Sequence, residues 1–253
     1  MENVTRTRLH LLDGIRGIVL ISMVAYHFSW NMVYLYGARW TWYHSHAAYV
    51  WQQSICWTFI LLSGFCWSMG RNHLKRGLMV FGGGALVTAV TLLVMPSNRV
   101  VFGVLTCIGS SMLLLIPLEK LLKKIPAEAG AGVSFALFLM FRNINRGYLG
   151  FESINIAALP DSWYCNLFTT YLGMPAPDFY STDYFSLLPW FFLFVTGYFI
   201  HRTCQKRNLL QWKTLQKKLP FVDFLGKNSL LVYLLHQPVL YGTLEVLHYF
   251  GIV

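Results

Sequence analysis

Three groups that lipid cannot satisfy, Asp13, Arg16 and His27, sit within the apolar run "LLDGIRGIVLISMVAYHFSWN" at residues 11–31. A helix turns about 100° per residue, so Arg16 and His27 fall within about 20° of each other, roughly 16 Å apart along the axis. Asp13 precedes Arg16 by three positions, where a carboxylate and a guanidinium can meet. Asn31 and Tyr34 continue the stripe. Such a face suits acid–base chemistry, because imidazole takes and gives protons near neutral pH. Ionisable groups inside membrane segments also mark substrate or ion paths. The competing structural readings are an interfacial ion pair for Asp13 and Arg16, and a bundle hydrogen bond for His27.

A second polar set lies near the C-terminus, where "GKNSLLVYLLHQPVL" places Ser229, Tyr233, His236 and Gln237 at helical spacing. Pro238 follows directly; it has no backbone donor and frees the carbonyl of Leu234, so a break is expected there. "HSHAAYVWQQ" offers His44 and His46 as a metal pair, but no third ligand stands at a telling distance and no metal site is predicted. "STDYFSLLPWFF" contributes Asp183, Tyr184 and Trp190, and "FGVLTCIGSS" contributes Thr106, Ser110 and Ser111. No nucleophile elbow, phosphate loop or dinucleotide fingerprint occurs.

The elements that must position these groups are membrane helices. The chain has 253 residues, of which 56% are hydrophobic and 12% charged, whereas soluble domains carry about 25% charged residues. Apolar blocks of about 20 residues recur, each long enough for roughly 30 Å of hydrocarbon. The prediction is an all-α, polytopic transmembrane bundle forming a single domain over 1–253. Its seven spans are expected near 12–36, 48–70, 77–95, 100–118, 126–142, 184–202 and 222–248. Fourteen of the 20 basic residues fall on one side of such a bundle, Arg6, Arg8 and the 202–218 segment among them. The positive-inside rule then places the N-terminus in the cytoplasm and the C-terminus outside. That placement accounts for the net charge of +10 without nucleic acid. No cleavable leader is read in the first run, and the five cysteines form no disulfide framework. Gly82, Gly83, Gly84, Gly130 and Gly132 are expected at helix contacts. The outer segment 143–183, rich in aromatics, is expected to be ordered as a lid over an outward-facing pocket.

In linear order, "RLHLLDGIRGIVLISMVAYHFSWN", "FILLSGFCWSMGRNHLKRGL", "FGVLTCIGSSMLLL", "DYFSLLPWFFLFVTGYF" and "LGKNSLLVYLLHQPVL" resemble the bacterial relatives of heparan-α-glucosaminide N-acetyltransferase. The resemblance covers nearly the whole chain. It implies an acyltransferase that takes acetyl from acetyl-CoA on the cytoplasmic side and delivers it to a sugar or glycan on the other. By position, Asp13 and Arg16 match the family's opening acidic–basic pair and are assigned to the donor. Thr106 joins them, at a position where bacterial relatives tend to carry histidine. The essential histidine of the lysosomal branch has its nearest match in His44 or His46, whereas His27 matches the histidine closing the first helix in bacterial members. His27, His46 and His44 are therefore the catalytic candidates.

Acyl transfer requires a base for the acceptor's proton and donors for the thioester oxyanion. His236 and Gln237 are expected to converge on His27, with Asp183, Tyr184 and Trp190 facing the sugar. Whether His27 acts as base or is transiently acetylated stays open at this level. The implied location is the bacterial inner membrane, and a homodimer is compatible with so small a bundle. The alternatives are a proton-coupled transporter, which usually shows paired broken helices, and a non-catalytic membrane sensor.

Overall fold

The computed structural model describes residues 9–252; Arg6 and Arg8 lie outside the described residues. Among the described residues the structure is mostly helical, with one small hairpin. In order come α1 (His10–Tyr34), α2 (His46–Trp67), α3 (His73–Val94), α4 (Val104–Leu122), α5 (Ala127–Met140), β1 (Tyr148–Phe151), β2 (Ile154–Ala158), α6 (Leu167–Leu172), α7 (Leu187–Lys206), α8 (Pro220–Lys227) and α9 (Ser229–Tyr249). Helices stand at all seven expected spans. Four of them, α1, α3, α4 and α9, are both long and apolar enough to cross a bilayer. Helix α5 has 14 residues, so its rise of about 21 Å falls short of the hydrocarbon thickness. The expected last span, 222–248, is two helices that part at Asn228.

Two compact units result, one comprising residues 1–59 and 208–253, the other residues 60–207. In the first, α1 meets α8 at backbone contact. A Cβ at Gly17 would fall 2.0 Å from the Val222 carbonyl oxygen, and one at Gly226 would fall 1.9 Å from that of Asp13. The D-x-x-R-G opening is thus also a helix-crossing motif, where small residues let backbones approach. Further along α1, Leu20 and Met23 pack with Ile55 of α2, flanked by Tyr26, Trp51, Val232 and Tyr233. The Trp51 indole donates to Ser22 Oγ at 2.8 Å, satisfying two polar groups inside an apolar layer.

The second unit uses the same device repeatedly. Gly84 of α3 seats on Thr106 of α4, Gly130 of α5 on the Phe199 ring of α7, and Gly64 of α2 on the Phe194 carbonyl of α7. Gly83 is buried, as expected. Gly82 and Gly132, expected at helix contacts, instead face open space. Arg202 caps the end of α4, donating to the carbonyls of Leu122 (2.8 Å), Lys123 (3.1 Å) and Ile125 (3.1 Å). It gathers the carbonyls a helix terminus leaves unpaired.

The segment 143–183 has secondary structure of its own. It holds the antiparallel β1–β2 hairpin, with a bulge at Leu149/Gly150, and the six-residue α6, so no further spanning helix lies within it. Tyrosines anchor it: Tyr164 donates to the Ile144 carbonyl at 2.5 Å, and Tyr184, just past its end, donates to that of Thr170. Burial pushes the Tyr164 phenol above its ordinary range, so it carries its proton at neutral pH.

Candidate active site

The polar stripe of α1 exists as predicted, and α9 completes it within the same unit. Gln237 Nε2 donates to His27 Nδ1 at 3.0 Å. Its other amide atom, Oε1, accepts from Asn31 Nδ2 at 3.1 Å. Asn31 is 1% exposed, so this contact is shielded from water and correspondingly strong. The His236 ring lies 4.8 Å from that of His27, centroid to centroid. His236 Nδ1 bonds the Tyr233 carbonyl one turn back. Its Nε2 is buried and has no hydrogen-bond partner among the described residues. Two imidazoles and two amides therefore share one small volume between α1 and α9.

The geometry of α9 explains how adjacent residues both reach α1. His236 and Gln237 differ by about 100° around the helix; His27 meets both, and Asn31, one turn on, takes the other end of the Gln237 amide. Pro238 lies inside α9, which runs unbroken from Ser229 to Tyr249. The break expected at the proline falls instead at Asn228, whose side chain donates to the Phe224 carbonyl at 2.9 Å. Gly226 must lie against Asp13, and α9 must present His236 to His27; the interruption between them accommodates both.

Three turns below His27, Arg16 meets Asp13 at 3.4 Å with a guanidinium 18% exposed. His10 Nδ1 contacts Asp223 Oδ2 at 3.1 Å, and the same oxygen accepts the Leu219 backbone N–H at 3.2 Å. Sequence inspection missed the His10–Asp223 pair. The available signal was a carboxylate in the first turn of a helix opened by Pro220, where an acid both caps and favours the dipole.

The other candidates stand apart from this cluster. His44 and His46 are exposed; the His44 ring lies 6.1 Å from Tyr34 and 5.9 Å from Tyr43, and that of His46 lies 6.0 Å from Tyr49. Tyr43 in turn approaches Tyr26 (5.3 Å), and Tyr26 approaches His27 (6.2 Å). Aromatic contacts thus lead from His44 to His27. Burial pushes the Tyr43 phenol well up, which keeps that hydroxyl protonated. Thr106, Asp183, Tyr184 and Trp190 belong to the second unit. Thr106 is pressed beneath Gly84, while Asp183 borders Gly103. Trp190 lies 5% exposed under the Arg142 guanidinium, 5.1 Å from its ring centroid. No group of three or more metal-ligating side chains occurs among the described residues.

The cluster can do what acyl transfer needs: accept a proton at an imidazole and present a fixed N–H to a developing negative charge. Neither the curated proteins nor the solved structures contain a match to this chain. The family model described as heparan-alpha-glucosaminide N-acetyltransferase, catalytic, matches residues 8–238, a stretch that holds the α1 stripe and its α9 partners alike. The chain belongs to the heparan-α-glucosaminide N-acetyltransferase family.

Proposed function

We propose that this membrane acetyltransferase takes its acetyl group from cytoplasmic acetyl-CoA and transfers it to the amine of a sugar on the opposite face, with His27 at the reacting centre. The observation that supports this best is the buried contact of His27, Gln237, Asn31 and His236 on α1 and α9. In the transfer, the acceptor nitrogen attacks the thioester carbonyl carbon, the C–N bond forms and the C–S bond breaks. The amine loses a proton to a base, and the sulfur gains one. Asp13 and Arg16 are assigned to the donor, with Arg16 reaching a coenzyme A phosphate from its partly exposed position. His236 and Gln237 border the reacting groups. The basic segments support a cytoplasmic N-terminus.

Purified protein incubated with labelled acetyl-CoA and a panel of amino sugars tests the reading. Label on the sugar nitrogen is the expected product; vesicle uptake of a sugar without label transfer would instead make the protein a carrier. In the same assay, Arg16→Ala should raise the KM for acetyl-CoA about tenfold or more, the scale of a lost charged hydrogen bond. Arg16→Lys should restore little, lacking the planar fork that grips phosphate. An unchanged KM in folded Arg16→Ala would reduce Arg16 to its contact with Asp13.

A further inference from the structure

We infer that His236 is the base of the transfer, and that His27 is a neutral hydrogen-bond donor locked in one tautomer by Asn31 and Gln237. The assignment rests on the acetyltransferase reading and divides the chemistry within it.

The hydrogen-bond directions carry the argument. Asn31 Nδ2 can only donate, so the Gln237 atom facing it is the carbonyl oxygen. That turns the Gln237 amide nitrogen, which can only donate, toward His27 Nδ1. Nδ1 must then offer its lone pair, and neutral His27 carries its hydrogen on Nε2. His236 is held the opposite way. Its Nδ1 faces the Tyr233 carbonyl, which can only accept, so the hydrogen sits on Nδ1 and the lone pair on Nε2. That Nε2 is the nitrogen left buried and without a partner among the described residues. An unmet buried polar atom is costly, and such atoms in native folds call for a reason. A substrate N–H is a sufficient one.

Two imidazoles of opposite tautomer, 4.8 Å apart, give a complete set. The acceptor amine attacks the thioester carbon and gives its proton to His236 Nε2. His27 Nε2–H donates to the carbonyl oxygen as it becomes an oxyanion. When the C–S bond breaks, the His236 imidazolium returns the proton to the departing sulfur. His27 begins and ends neutral, since giving up Nε2–H would leave an imidazolate. Asn31 and Gln237 are positioning residues.

Isosteric variants separate the roles, read as kcat against pH. His236→Gln should lose the acidic limb of the profile and fall about 10²-fold or more, as removal of a general base does. His27→Gln still presents an amide N–H, so it should keep the acidic limb and hold more of the rate than His236→Gln. Gln237→Glu puts an acceptor against His27 Nδ1 and reverses the tautomer; kcat should fall while the KM for acetyl-CoA holds. Nitrogen-15 histidine spectra of the protein in bilayers read the tautomers directly, with hydrogen expected on Nε2 of His27 and Nδ1 of His236. Reversed tautomers, or an acidic limb lost in His27→Gln and kept in His236→Gln, would overturn the assignment. Wild-type protein that transfers no acetyl would sink the acetyltransferase reading instead, and the spectra would still decide the tautomers.

Discussion

His27→Ala is expected to lower kcat for acetyl transfer by about 10²- to 10³-fold, the usual cost of removing one preorganised donor to an oxyanion. Alanine removes both ring nitrogens, so the Gln237 amide loses its acceptor and His236 loses its neighbouring ring. The KM for acetyl-CoA should change little, because Arg16 lies about 16 Å away along α1. His46→Ala should keep most of the wild-type rate, since His46 is exposed and its ring lies beside Tyr49. Steady-state kinetics on both variants checks this. A full-rate His27→Ala beside an inactive His46→Ala would move the chemistry to the start of α2.

The second large effect is on folding. Gly64 of α2 and Gly197 of α7 face each other's helix, with built Cβ atoms falling 1.9 Å from the Phe194 carbonyl oxygen and 2.1 Å from that of Leu61. The obstacles are main-chain atoms, which cannot rotate aside as a side chain would. Overpacking a core costs about 1–3 kcal/mol when side chains can adjust, and Gly64→Val or Gly197→Val should reach or exceed the top of that range. Gly132→Ala is the control: its Cβ meets open space, and alanine is favoured over glycine in a helix by up to about 1 kcal/mol. Thermal unfolding in detergent should show a much lower Tm for either valine variant and an equal or higher one for Gly132→Ala. An unchanged Tm for Gly64→Val would mean that α2 and α7 do not cross there.

The stripe of α1 was legible because its period is set by the helix itself: Arg16, His27 and Asn31 share a face wherever residues 11–31 are helical. The meeting with His236 and Gln237 was legible in part, since buried polar groups in two apolar helices need partners and could find them in each other. What sequence did not carry was the location of the break. Pro238 removes one hydrogen bond, which a helix in a packed bundle can lose without ending, whereas the close seat of Gly226 on Asp13 is a tertiary constraint with no local signal. Asp223 stayed hidden for the same reason, as its partner His10 lies 213 positions away. The glycines show the limit most plainly. Gly82 and Gly84 look alike in sequence, but one faces open space and the other Thr106.

Transfer across the membrane at the α1–α9 cluster can be read in sided proteoliposomes. Protein of known orientation is reconstituted with labelled acetyl-CoA on the face bearing residues 202–218 and an amino sugar on the other. Labelled N-acetyl sugar should appear in the compartment that never held acetyl-CoA, with that signal lost in His27→Ala. Product formed only when donor and acceptor share a compartment, or formed equally well by His27→Ala, would contradict it.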